Sequence, residues 1–73
     1  MSMPYRPVAV GPVRRTAAQR ITLRNLRRTP GEIRRDVIDL QDGRVEVDFL
    51  DRRLIITRLA FVSPDGGVEW ITD

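Results

Sequence analysis

The sequence predicts an α+β domain: one short helix at about 30–40, packed on a small antiparallel sheet of three or four strands, behind a disordered N-terminal arm. Three observations predict it. Thr29-Pro30-Gly31-Glu32 has the chemistry of a helix start, with Ile33 and Val37 following at a spacing of four. Val45, Val47 and Phe49 alternate with Glu46 and Asp48, as do Val68, Trp70 and Thr72 with Glu69 and Ile71. Between the apolar runs lie the turn-forming stretches Asp51-Arg52-Arg53 and Ser63-Pro64-Asp65-Gly66-Gly67.

Residues 1–12 read MSMPYRPVAVGP. Three prolines and a glycine oppose a regular helix, so 1–15 is expected to be a flexible basic arm and 16–73 a single domain. Tyr5, Arg6 and Val8 are candidate contacts on that arm, because tyrosine and arginine are enriched at interface hot spots and Val8 shares a strand side with Val10. The alternative is a frayed terminus with no role. Val13–Arg20 is either the end of the arm or a nascent helical turn. Ile21-Thr22-Leu23 alternates like a short strand, and Arg24–Arg28 suits one helical turn anchored by Leu26.

At Thr29 the hydroxyl suits an N-cap, Pro30 the first helical position, and Glu32 the reciprocal bond to the cap. Ile33, Val37 and Leu40 share a helical face, so the helix is expected to run to about Gln41. The competing reading makes 37–40 a strand that turns at Asp42-Gly43. Leu54–Val62 is apolar on both faces apart from Thr57 and Arg58, which suggests a central strand. Phe49, Phe61 and Trp70 are the expected aromatic core.

The charge is bipolar. Residues 1–35 hold nine arginines and only Glu32, about +8, while 36–73 hold four arginines and nine acids, about −5; together they make the net +3. All 13 basic residues are arginine, and the chain has no lysine, histidine or cysteine. Disulfides, thiolate metal sites and imidazole bases are thereby excluded. Ser2 and Ser63 have no histidine or lysine to activate them, and no phosphate-cradling glycine loop is present. Glu46 and Asp48 share a strand face, which is ordinarily a solvated one. The expectation is a binding protein without catalysis, cofactor or metal. No run approaches the ~20 apolar residues of a membrane span and no signal peptide is evident, so a soluble cytoplasmic protein is expected.

Arg14, Arg15, Arg20, Arg24, Arg27, Arg28, Arg34 and Arg35 could form a stripe. Of these, Arg14, Arg15, Arg24, Arg27 and Arg28 are the candidate electrostatic contacts. Guanidinium forks suit phosphates and carboxylates alike, so DNA and an acidic protein surface both stand as partners. No aromatic side chain is interleaved with the arginines, and the acidic half would repel a wide duplex footprint.

Two resemblances sharpen these expectations. Ile21 to Ile33, ITLRNLRRTPGEI, resembles the opening of Phd/YefM-type antitoxins, and Val45–Leu59 loosely resembles the hairpin that follows there. The match covers about 20–62. It implies a dimeric DNA-binding autorepressor with Arg20, Arg24, Arg27 and Arg28 on phosphates. This chain adds the arm in front and ends at Asp73, where that family carries a toxin-binding tail. Over its whole length, with its lysine-free N-terminal half opening MSMPYRPVAV, the chain resembles the small transcription regulators with which lytic phages of Xanthomonas act on host RNA polymerase. That resemblance implies a partner in the largest polymerase subunit, near its N-terminus. It also implies inhibition of initiation, antitermination at terminators, no catalysis and a place in the host cytoplasm; the chain is expected to be a monomer, or a dimer under the antitoxin resemblance.

Overall fold

Four strands joined by three tight hairpins follow a single helix in the computed structural model, which describes residues 14–71. The elements are α1 (Ala17–Asn25), β1 (Glu32–Asp39), β2 (Val45–Asp51), β3 (Ile56–Val62) and β4 (Val68–Ile71). The strands form one antiparallel sheet in the order β1-β2-β3-β4, and α1 lies against one of its faces. The α+β class and the helix-on-sheet arrangement are as expected, but the helix is elsewhere. It occupies 17–25, and the stretch expected to be helical is the edge strand β1.

The helix begins at Thr16. Its hydroxyl accepts from Gln19 N at 3.0 Å, while Gln19 Oε1 accepts from Thr16 N at 2.9 Å, a complete capping box. Ala17 and Ala18 favour the first turn, and this local preference outweighs the β-branched Ile21 and Thr22 that suggested a strand. At the other end, Arg35 Nη1 donates to the carbonyls of Leu23 and Leu26 at 2.6 and 2.8 Å. A cation there also complements the helix dipole.

Thr29-Pro30-Gly31-Glu32 is a β-turn. Glu32 N donates to Thr29 O at 3.0 Å, and Gly31 has φ +93, the pattern of a type II turn with proline second and glycine third. Glu32 Oε1 accepts from Thr29 N at 2.8 Å. The expected reciprocal bond therefore exists, but it braces a turn into a strand. The competing reading of 37–40 is the one observed.

The three hairpins share one geometry. In each, the flanking residues close a three-residue loop whose last member is left-handed: Gly43 (φ 93), Leu54 (φ 62) and Gly66 (φ 91). The closing bonds are Leu40 N to Arg44 O at 2.9 Å, Asp51 N to Ile55 O at 3.0 Å and Ser63 N to Gly67 O at 2.8 Å.

Register sorts the side chains. Arg35, Val37 and Asp39 of β1 share the helix face with Val45, Val47 and Phe49 of β2, with Arg58, Ala60 and Val62 of β3, and with Val68 and Trp70 of β4. The core there is Leu23, Val45, Val47, Phe49 and Val62, with Leu26 and Val37 packed against it. Gln19, fully buried, ties α1 to two hairpins: its Nε2 donates to Gly43 O at 2.8 Å and Val62 O at 3.2 Å. Thr22 Oγ1 donates to Gly66 O at 2.8 Å, and a Cβ at Gly66 would meet Thr22 Oγ1 at 3.0 Å and the Ala18 Cβ at 3.2 Å. The close approach of helix and hairpin thus requires glycine twice over, for φ and for space.

Three core expectations change. Trp70 is 41% exposed, with its ring centroid 6.2 Å from that of Phe49. Phe61 is half-buried on the opposite face, under the Arg44 guanidinium at 4.5 Å. Leu54 and Ile55 belong to the hairpin, so β3 starts at Ile56.

That opposite face carries Asp36, Glu46 and Asp48. It is less solvated than expected: Asp48 is 8% exposed, and its Oδ1 has no hydrogen-bond partner among the described residues. Glu46 has its pKa raised, first by hydrogen bonding to the Asp48 carboxylate, then by burial and by that neighbour's charge. A raised carboxyl pKa means stability that is present below the ordinary value of 4.5 and lost as pH rises through the folded value. Glu46→Gln keeps a donor and removes the charge. It is expected to raise unfolding stability by about 1 kcal/mol at pH 7 and by little at pH 4, as read by urea titration at both pH values.

Candidate functional site

An open groove of about 820 Å³ lies where the segment leaving α1 crosses toward β1. Arg24 enters it from the last turn of the helix, and Arg27 and Arg28 from the connecting segment. Arg35 comes from β1, and Leu26, Pro30 and Ile33 supply apolar wall. The local reason is the short connection: five residues after α1 the chain reverses at Pro30-Gly31, so helix end and strand start stand side by side.

The arginines here divide by what they already hold. Arg35 is occupied with the helix carbonyls, and Arg28 Nη1 donates to Ile33 O at 2.6 Å. The guanidinium groups of Arg24 and Arg27 make no hydrogen bond among the described residues, and both residues are exposed. They remain able to fork onto an external carboxylate or phosphate.

Beneath the groove lies Glu32, whose side chain is 5% exposed. Arg58 Nη2 donates to its Oε1 at 2.8 Å and Arg58 Nε to its Oε2 at 2.9 Å, while Thr57 Oγ1 also donates to Oε2 at 2.6 Å. The Arg58 guanidinium lies 4.1 Å from the Phe49 ring centroid and 5.0 Å from that of Trp70, and its Nη2 reaches Arg27 O at 2.9 Å. The fork from Arg58 holds the Glu32 carboxyl well below the usual carboxylate range, and the Thr29 and Thr57 hydrogen bonds act in the same direction against burial. Neither Glu32 nor Arg58 was singled out as a site residue from the sequence. Their pairing across β2 depends on sheet register and has no local signature.

The expected stripe is split. Arg24, Arg27 and Arg28 come together in the groove. Arg14 and Arg15 precede the other end of α1, and Arg15 holds Asp39 at 2.7 Å. Arg20 turns back to Arg15 O at 2.9 Å. Arg34 and Arg35 point to opposite sheet faces, Arg34 pairing with Asp36 at 2.7 Å. The cause is geometric: adjacent residues of a strand cannot share a face. Tyr5, Arg6, Val8 and the arm as far as residue 13 lie outside the described residues.

Among the described residues no cluster of three or more Asp or Glu could hold a metal ion, and no helix is long and apolar enough to cross a membrane. No family model matches the chain, and no curated protein or solved structure matches it either.

Proposed function

We propose that this chain is a phage-type transcription regulator. In this reading it binds the largest subunit of host RNA polymerase near that subunit's N-terminus, inhibits initiation and promotes antitermination, without catalysis of its own. The observation that carries the reading is the pair Arg24 and Arg27, exposed and unengaged beside Leu26, Pro30 and Ile33. A basic groove with an apolar wall suits a protein surface bearing carboxylates, where forked pairs fix orientation and apolar contact adds affinity. The whole-length resemblance supplies the polymerase as partner.

The DNA-binding autorepressor draws on the same convergence of Arg24, Arg27 and Arg28. It has less support. The antitoxin resemblance over 21–33 implies a short strand, a leucine–arginine turn and then a polar cap before Pro-Gly-Glu, whereas the order here is helix, turn and strand.

The test is recovery of polymerase subunits by tagged protein from nuclease-treated and untreated bacterial lysate, followed by titration of purified polymerase. Wild type is expected to recover the subunits in both lysates. The Arg24→Glu/Arg27→Glu variant should fold normally and bind about tenfold or more weakly, since two charge reversals at desolvated pairs cost at least about 1.4 kcal/mol. Absence of polymerase, with nucleic acid retained until nuclease is added, would move the assignment to the repressor.

A further inference from the structure

Three hairpins, each closed around a three-residue loop, place a left-handed residue at the loop's last position. Two of them use glycine, and the third uses Leu54 at φ 62. A leucine in that conformation is strained, and its exposure of 57% shows that burial does not offset the strain. Ile55 and Ile56 follow, 51% and 48% exposed, so three large apolar side chains project in succession. Ile33, also half exposed, lies at the same end of the sheet, where Glu32 pairs with Asp51.

The turn beneath them is held firmly. Asp51 Oδ1 accepts from Arg53 N at 2.9 Å and from Ile55 N at 3.1 Å, so the acid is occupied in shaping the loop. Arg52 and Arg53 are exposed, and their guanidinium groups form no ion pair among the described residues.

We propose that this hairpin tip is a second docking element, which inserts Leu54 and Ile55 into an apolar pocket of a protein partner while Arg52 and Arg53 meet carboxylates on the pocket's rim. Charge complementarity sets the rim, because among the described residues the unengaged charges at the tip are the cations Arg52 and Arg53. The fixed loop sets the class of partner. A shaped pocket gains from side chains held in one direction, whereas a fluid lipid surface does not. Nucleic acid offers no such apolar pocket. The element is distinct from the Arg24–Arg27 groove, and taking polymerase as the partner rests on the function proposed above.

The experiment compares wild type, Leu54→Gly, Leu54→Asn and Ile55→Thr in thermal unfolding and in titration of purified bacterial RNA polymerase, with anionic phosphatidylserine vesicles in parallel. Glycine and asparagine accept the left-handed conformation, so both Leu54 variants are expected to unfold at a higher temperature than wild type yet bind polymerase at least tenfold more weakly. Ile55→Thr should weaken binding with little change in unfolding. Wild-type binding left unchanged in all three variants would overturn the tip's role and leave the groove's intact. Loss of vesicle binding alone would overturn it in favour of a lipid surface. A wild type that does not bind polymerase would overturn both readings together.

Discussion

Replacing Arg58 by methionine is expected to destabilise the domain by about 3 kcal/mol, a large part of what a domain of this size has. The arginine's stem and fork perform three tasks at once. It neutralises a carboxylate that is 5% exposed, it lies over Phe49 and Trp70, and it accounts for a hydrogen bond to the Arg27 carbonyl. Methionine fills much of the volume but leaves Glu32 charged and buried beside Thr57. The 30% exposure of the arginine's own side chain places the loss at the lower end of the range for broken buried pairs. Urea unfolding measures it, and a cycle with Glu32→Gln separates the pair from the packing: the double variant should lose clearly less than the two single losses added together.

The same pair fixes an acid limb of stability. Glu32 has its folded pKa lowered from an ordinary value of 4.5, with the Arg58 hydrogen bond as first cause. Its contribution is complete above that ordinary value and is lost as pH falls toward the depressed one. Wild type should therefore weaken steeply on acidification below about pH 5, and Glu32→Gln, less stable at pH 7, should show a flatter acid limb. Parallel slopes for the two proteins would show that other carboxylates control acid unfolding.

Gln19 carries the second large effect. Gln19→Met is expected to lose about 2 kcal/mol, because apolar substitution removes the donor to the Gly43 and Val62 carbonyls and the side-chain acceptor of the Thr16 N–H. Gln19→Glu should be worse at neutral pH, since it sets a carboxylate against two carbonyl oxygens, and partly recovered at pH 4, where a protonated acid can donate. Circular dichroism with urea titration at both pH values reads the difference. An equal loss for both variants at both pH values would mean that shape alone, and not donation from Nε2, holds α1 on the sheet.

Thr16 and Thr29 offer the same local cap chemistry and start different elements. Both are followed three residues later by a residue able to return the cap bond, Gln19 and Glu32. Both make that return bond, at 2.9 and 2.8 Å. What separates them is the residue two places after each threonine. Ala18 continues a helix, whereas Gly31 allows the left-handed turn that sends the chain back as a strand. Thr16-Ala17-Ala18-Gln19 carries its own helix-start signal, but the proline and the more regular apolar spacing after Thr29 make the stronger local signal. At the groove, the basic character of Arg24, Arg27 and Arg28 was visible in the chain. Which of its neighbours were free was not, because Arg15, Arg20, Arg34 and Arg35 find their partners through folding.

The sequence by itself determined the hairpin half of the molecule. Alternation along 45–49 and 68–71 and the turn residues at 42–43 and 63–67 are local signals, and each acts over a handful of neighbouring residues. Tertiary structure decided the rest. Val37 and Ile33 fit a helical face or a strand equally well until β2 offers backbone partners and places Val47 opposite Val37. Glu32 and Arg58, 26 residues apart, become a buried pair only when the sheet brings the start of β1 near β3. Cross-strand register is a property of two segments at once, so neither segment's own sequence can state it.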